Sequence, residues 1–127
     1  MALSRQNRLS SREFPRILRQ KNRITNGSIT LKWKGTSVNS PRLGIIIPAK
    51  KFPKATTRNT LKRRIVEIIR DKLEQIAPRL DILIIVNNSG YTESNQNLIT
   101  DTGKALDKLK HNIKTQVLNM KSILRYE

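Results

Sequence analysis

The densest chemistry in the sequence lies between Lys50 and Arg64, KKFPKATTRNTLKRR, where seven of fifteen residues are basic: Lys50, Lys51, Lys54, Arg58, Lys62, Arg63 and Arg64. The stretch reads as a basic loop that runs onto the first turns of a helix. Such a junction offers free backbone N–H groups and the positive end of the helix dipole, and both favour phosphate. Arginine holds phosphate through paired donors. Asn59 donates and accepts, so it can bridge phosphate or 2′-hydroxyl groups and neighbouring side chains. Cations at a helix N-terminus oppose the dipole at about 0.3–1 kcal/mol each when exposed. A helix built for stability alone would carry Asp or Glu there, whereas this one holds its acids, Glu67, Asp71 and Glu74, farther along. The pattern points to a bound polyanion; the plainer alternative is a solvated basic helix end.

The charge of the whole chain points the same way. Through residue 66 there are 17 Lys/Arg and one acid, Glu13, a net of +16; the remainder holds 9 Lys/Arg and 8 Asp/Glu, a net of +1, which together make the overall +17. Self-repulsion of this size disfavours a compact state unless something neutralises it. Nucleic acid, an anionic membrane surface and an acidic protein are the possible partners, and basic disorder is the bland alternative. Ile29, Leu31, Trp33, Leu43 and the Ile45–Ile47 run look like core strands, which favours a folded nucleic-acid binder. No helix pairs a large aromatic or Leu face with a Lys/Arg face, which argues against a membrane surface.

Other classes drop out on residue types. No apolar run approaches the ~18 residues of a membrane span. The first 20 residues carry five Arg and no apolar segment, so no secretory signal is read there. A soluble, cytoplasmic chain is the expectation. The absence of Cys excludes a disulfide framework, a thiolate zinc site and a thiol nucleophile. His111 is the one histidine, with no Cys or carboxylate cluster beside it, and no nucleophilic triad, zinc-protease motif or glycine-rich phosphate loop occurs. Asp101 and Asp107 read as a cap and a solvated helix charge. No protein-borne catalytic centre and no metal or cofactor site is expected.

The elements that must position the basic stretch follow from periodicity. The 127 residues predict one domain, with residues 1–9 a flexible basic arm. Ser10 and Glu13 form a capping-box pattern ahead of Phe14, Ile17 and Leu18, which predicts a first helix over about 11–20. Asn26-Gly27 is a turn signal. Ile29, Leu31 and Trp33 then alternate with polar residues, a strand with one wet face. Arg42 to Ile47 is a second strand, and its continuous Ile run predicts a central position. A helix over about 58–76, capped by Thr57, has Leu61, Ile65, Ile68, Ile69, Leu73 and Ile76 on its apolar side. At about 100° per residue, Asn59 and Arg63 lie away from that side, Lys62 at its margin and Arg58 at the helix mouth. Asp81 to Val86 is a third strand, apolar enough to be interior. Residues 87–97, with Tyr91, read as an exposed loop. A last helix over about 102–124, capped by Asp101 or Thr102, has a core stripe of Leu106, Leu109, Ile113, Val117, Met120 and Leu124. Helices covering one face of a small mixed sheet would leave the other partly open to a ligand.

One family shares these features in order. Arg42-Leu-Gly44-Ile-Ile-Ile47, then Lys50-Lys51, Ala55, and Arg58-Asn59 followed by Lys62-Arg63 resemble the signature of the bacterial ribonuclease P protein subunit. The upstream Arg12-Glu13-Phe14 element and the strand at Asp81 fit as well, so the resemblance covers nearly the whole chain. It implies an α/β (α+β) two-layer sandwich of α-β-β-β-α-β-α order, with a left-handed β-α-β crossover and a ribosomal-protein-like topology. The fourth strand is then expected within 34–41 or 48–53. The resemblance also implies a partnership with a catalytic RNA that uses Mg²⁺ to remove the 5′ leader of precursor tRNA, with no membrane and no obligate protein partner.

Carried onto this chain, Arg58, Asn59, Lys62 and Arg63 would contact the catalytic RNA, with Lys50, Lys51 and Lys54 extending that surface. Phe14, Arg16, Lys32 and Trp33 would bind the leader in a cleft between the first helix and the sheet. Phe14 could equally be a core anchor and Trp33 a packing residue. The third position of the basic box is Thr60 in place of Arg, and Leu18 stands where relatives often carry a second Phe. A non-enzymatic RNA-binding or ribosomal protein is the alternative reading.

Overall fold

The computed structural model describes residues 3–36, 40–70, 72–73, 79–87 and 96–125, with side chains of the last helix described over 97–113. A 3-10 turn at Ser11–Glu13 leads into the short helix α1 (Phe14–Leu18). Then come strands β1 (Arg23–Asn26), β2 (Ile29–Gly35) and β3 (Arg42–Ile46), helix α2 (Ala55–Arg70), strand β4 (Leu80–Val86) and helix α3 (Gln96–Arg125). This is the α-β-β-β-α-β-α order of an α+β protein. The sheet runs β1-β2-β4-β3; β1 and β4 lie antiparallel to β2, and β3 lies parallel to β4. Among the described residues no helix is long and apolar enough to cross a membrane.

Strand alternation divides the core in two. Ile29, Leu31 and Trp33 of β2 and Ile82, Ile84 and Val86 of β4 face α2 and α3, where Leu61, Ile65, Ile69, Leu98, Leu106 and Leu109 are buried against them. On the opposite face Leu83 packs with Ile17 and Leu9, joined by Phe14, Ile46 and Ile85. The two long helices therefore cover one face, and the single turn and a half of α1 sits on the other.

Several boundaries differ from those expected, each for a local reason. The fourth strand is β1, upstream of the turn at Gly27 (φ 59°), and among the described residues no separate strand lies within 34–41 or 48–53. Its four residues, with Ile24 the one apolar side chain, are too few to show alternation. β3 is an edge strand, although its Ile run predicts a central one. Its apolar residues are covered by α2 on one face and by Phe14 and Leu9 on the other, so both faces are apolar while, among the described residues, the outer edge meets only the isolated bridge of Arg8 to Leu43. Residues 3–9 do not stand clear as an arm. Leu3, Asn7 and Leu9 are buried, the Leu9 amide donates to the Leu43 carbonyl at 3.0 Å, and Asn7 donates to the Pro41 carbonyl at 2.7 Å.

The capping box forms only in part. The Ser10 hydroxyl accepts from the Arg12 amide at 3.4 Å, but the Glu13 carboxylate turns to arginines and not back to the cap. α2 begins at Ala55, so Thr57 lies inside its first turn and is not the cap; the Arg58 amide closes the first helical bond onto the Lys54 carbonyl at 3.2 Å. Pro53 keeps Phe52 out of helical geometry and fixes that start. α3 begins at Gln96, which places Asp101 and Thr102 inside the helix and not at its cap. Asp71, Glu74, Ile76 and Tyr91, and the side chains of Val117, Met120 and Leu124, lie outside the described residues.

Candidate nucleic-acid interface

The loop between β3 and α2 and the first half of α2 carry the basic set. Leu61, Ile65 and Ile69 fix the helix's rotation by full burial, so Asn59, Lys62 and Arg63 are exposed, as the helical spacing predicts. Among the described residues Lys62 and Arg63 meet no carboxylate and make no hydrogen bond. Lys50 and Lys54 are also exposed. Lys51 donates to the Asn87 carbonyl, which ties the loop to the end of β4.

Arg58 is engaged internally. Its Nη1 donates to the carbonyls of Phe52 at 2.7 Å and Pro53 at 3.0 Å. The bonds involve one terminal nitrogen of a group with five donor hydrogens, so the rest of the fork remains for a ligand. Because α2 starts three residues before Arg58, that residue closes the first turn and is not the helix mouth. Lys62 and Arg63 lie two turns in, beyond the range of the helix dipole. Their attraction for phosphate is that of exposed cations alone. Thr60 donates its hydroxyl to the Thr56 carbonyl at 2.9 Å, a bond onto its own helix. The Arg64 Nε is buried without a hydrogen-bond partner among the described residues.

The four residues expected at the leader cleft are not brought together as one surface. Trp33 is 4% exposed and faces α2 and α3, on the opposite side of the sheet from Phe14; this removes it from the leader-binding set. The strand's alternation decides its side, and the aromatic type alone does not reveal it. Lys32 does lie on the Phe14 face, but its ammonium donates to the carbonyls of Leu18 and Gln20, each at 2.8 Å, and so caps the end of α1. Arg16 donates to Asp81 at 2.6 Å and to Glu13 at 3.2 Å. Phe14 is half-buried over β3, where Gly44 makes room: a Cβ there would overlap its ring.

Phe14 and Gly44 line a groove of about 260 Å³ beside the outer edge of β3, together with Leu43, Leu9, Arg8 and Lys62. The groove thus joins the Phe14 side of the sheet to the basic face of α2. Its floor is apolar and its charged residues are both cations, a lining suited to a base with its phosphate.

The polar residues that sequence reasoning undervalued are Glu13, Arg42 and Asp81. Asp81 has no exposed side-chain surface, and Arg42 donates to it from Nε at 2.7 Å and Nη2 at 2.8 Å. Burial alone would raise the Asp81 carboxyl, but hydrogen bonds from Arg42 and Arg16, with their charges, hold it below the ordinary carboxylate value. The hydrogen bond to Asp81 outweighs burial and raises the Arg42 guanidinium in turn. The available signals were Asp81 opening an otherwise apolar strand and Glu13 as the lone acid of the first 66 residues. Among the described residues no group of three or more His, Asp or Glu could hold a metal ion.

Fold and surface define a basic α+β protein with an exposed cationic face on α2. The family model for ribonuclease P matches residues 3–110. The ribonuclease P protein component of Aliivibrio fischeri is 32% identical over 105 residues, 83% of this chain and 86% of that protein. That of Photobacterium profundum is 32% identical over 114 residues, 89% and 92% of the two chains. The ribonuclease P protein structure from Thermotoga maritima superposes with a TM-score of 0.67 at 30% identity, covering 82% of this chain and 96% of that one. The chain belongs to the ribonuclease P protein family. It is an RNA-binding component of a ribonucleoprotein endonuclease of tRNA processing.

Proposed function

We propose that this chain docks onto the catalytic RNA of ribonuclease P through Lys50, Lys54, Arg58, Asn59, Lys62 and Arg63. The 5′ leader of precursor tRNA then lies across the groove at Phe14. In this reading the RNA, with its own Mg²⁺, performs the hydrolysis; the protein supplies cations and a stacking face, and none of its residues is a catalytic group. The observation that carries the reading is the exposed, carboxylate-free set on α2, joined through Lys62 to the groove that Phe14 lines.

Neutralising RNA repulsion is the work such a surface can do, and it matters most where divalent cations are scarce. The test is reconstitution with the cognate RNA at low Mg²⁺. The expected result is 5′ trimming of precursor tRNA faster than with RNA alone, and no trimming by the protein alone. A mixture no faster than the RNA at any Mg²⁺ concentration refutes the assignment. Co-purification with ribosomal particles in place of one abundant small RNA would favour a ribosomal role.

A further inference from the structure

α1 has five residues, too few to hold a helix or its place by backbone bonding alone. It is pinned at both ends. At its start, Glu13 and Arg16 bracket Phe14 and Pro15, and both enter one ionic cluster with Arg42 of β3 and Asp81 of β4. Asp81 Oδ2 accepts from Arg16 at 2.6 Å and from Arg42 at 2.8 Å, and Oδ1 accepts from Arg42 at 2.7 Å. Glu13 accepts from Arg16 at 3.2 Å and pairs with Arg42 at 3.2 Å. At its other end Lys32 holds the Leu18 and Gln20 carbonyls.

The cluster adjoins the seat of the Phe14 ring. Arg42 pairs with Asp81 across the parallel strands, and Gly44, under the ring, is paired with Leu83 two residues on. Two residues along a strand is about 6.6 Å. Asp81 is buried and the other three members are partly exposed; such a cluster contributes little net stability, and its use is to specify geometry. We propose that Asp81 is a positioning residue: through Arg16 and Arg42 it sets α1 on the sheet so that the Phe14 ring stands at the wall of the groove. Arg16 and Lys32 are struts of this arrangement and not leader contacts. The functional consequence rests on the proposed leader binding; the positioning itself does not.

The chain has two phenylalanines, Phe14 and Phe52, and Phe52 is buried in the main core on the other face. Protein labelled with 4-fluorophenylalanine therefore gives one ¹⁹F signal for the groove and one internal control. In Asp81→Asn the Phe14 signal is expected to shift or broaden while the Phe52 signal stays. Affinity for a short single-stranded RNA oligonucleotide is expected to fall about tenfold, the scale of one lost base stack. The salt dependence of binding should keep its slope, since no phosphate contact is removed. Arg16→Met removes the Nη2 that bonds both Asp81 and Glu13, so it should move the same signal; it carries the test if Asp81→Asn does not fold cooperatively. An unmoved Phe14 signal in a folded variant overturns the proposal. A displaced signal with unchanged RNA affinity would uphold the positioning and overturn the placement of the leader at Phe14.

Discussion

Removing Lys62 and Arg63 together separates RNA docking from folding. Both are exposed on α2, make no hydrogen bond or ion pair among the described residues, and lie beyond the first turn, where the dipole has faded. Substitution to Ala should therefore change stability by no more than about 0.5 kcal/mol. Arg58 is a poorer choice, because its bonds to Phe52 and Pro53 hold the loop. Five exposed or part-exposed cations, Lys50, Lys54, Arg58, Lys62 and Arg63, would neutralise about five phosphates. Each contributes about −0.7 to −0.9 to the slope of log K against log salt, so the unaltered protein should show about −3.5 to −4.5. The double variant, with three left, should show about −2.1 to −2.7. Over a fourfold rise in salt the parent then loses about 130- to 500-fold in affinity and the variant about 20- to 40-fold. Filter binding of the cognate RNA across that range, beside thermal unfolding of the same samples, gives both quantities. An unchanged slope in a variant that unfolds cooperatively would refute phosphate contact by this pair, and lost cooperativity would mark the residues as structural.

Three further outcomes are expected. Because Asp81 ionises more readily folded than unfolded, its contribution to stability is complete above its unfolded value near 3.9 and is lost as pH falls through the lower folded value. Unfolding scans between pH 2 and 6 should show that acid-side loss in the parent and a flatter limb in Asp81→Asn; identical limbs would contradict the buried cluster. Gly44→Ala drives a methyl group into the Phe14 ring and should cost about 1–3 kcal/mol in chemical denaturation, and a neutral result would mean the ring does not rest there. Trp33, buried against α2 and α3, should show weak acrylamide quenching that RNA leaves unchanged; strong quenching relieved by RNA would return it to the interface.

The long periodic segments were legible because burial imposes one rhythm on many residues. The apolar row from Leu61 to Ile69 reports its helix and its buried side, and that is enough to place Asn59, Lys62 and Arg63 on the exposed side. The strand at Asp81–Val86 carries apolar residues on both of its faces and is interior. Ile45–Ile47 shows the same composition on an edge strand, since composition reports covered faces and says nothing of a neighbour along the edge. Of the residues expected at the leader cleft, only Phe14 lines the groove. The family resemblance gave Arg16 and Lys32 as leader contacts, and their partners, Asp81 and the end of α1, come from 65 residues downstream and from a helix terminus. Pairing at such separation leaves no local pattern.

The placement of the acids offsets the chain's self-repulsion where folding concentrates it most. Repulsion is most costly where cations are forced together in partly buried ground, and folding does this at the start of β3, where Arg16 and Arg42 converge. Glu13 and Asp81 stand at that point and neutralise the pair, two carboxylates against two guanidiniums. Elsewhere in the first 66 residues no acid is present, and most of the remaining cations are exposed, where water and salt screen them. Spreading those two acids over the surface would lower the net repulsion equally on paper, but it would leave Arg16 and Arg42 unpaired and dilute the positive field at α2. Concentrating them beneath α1 lets one small cluster fix the groove while the outward face keeps its full charge.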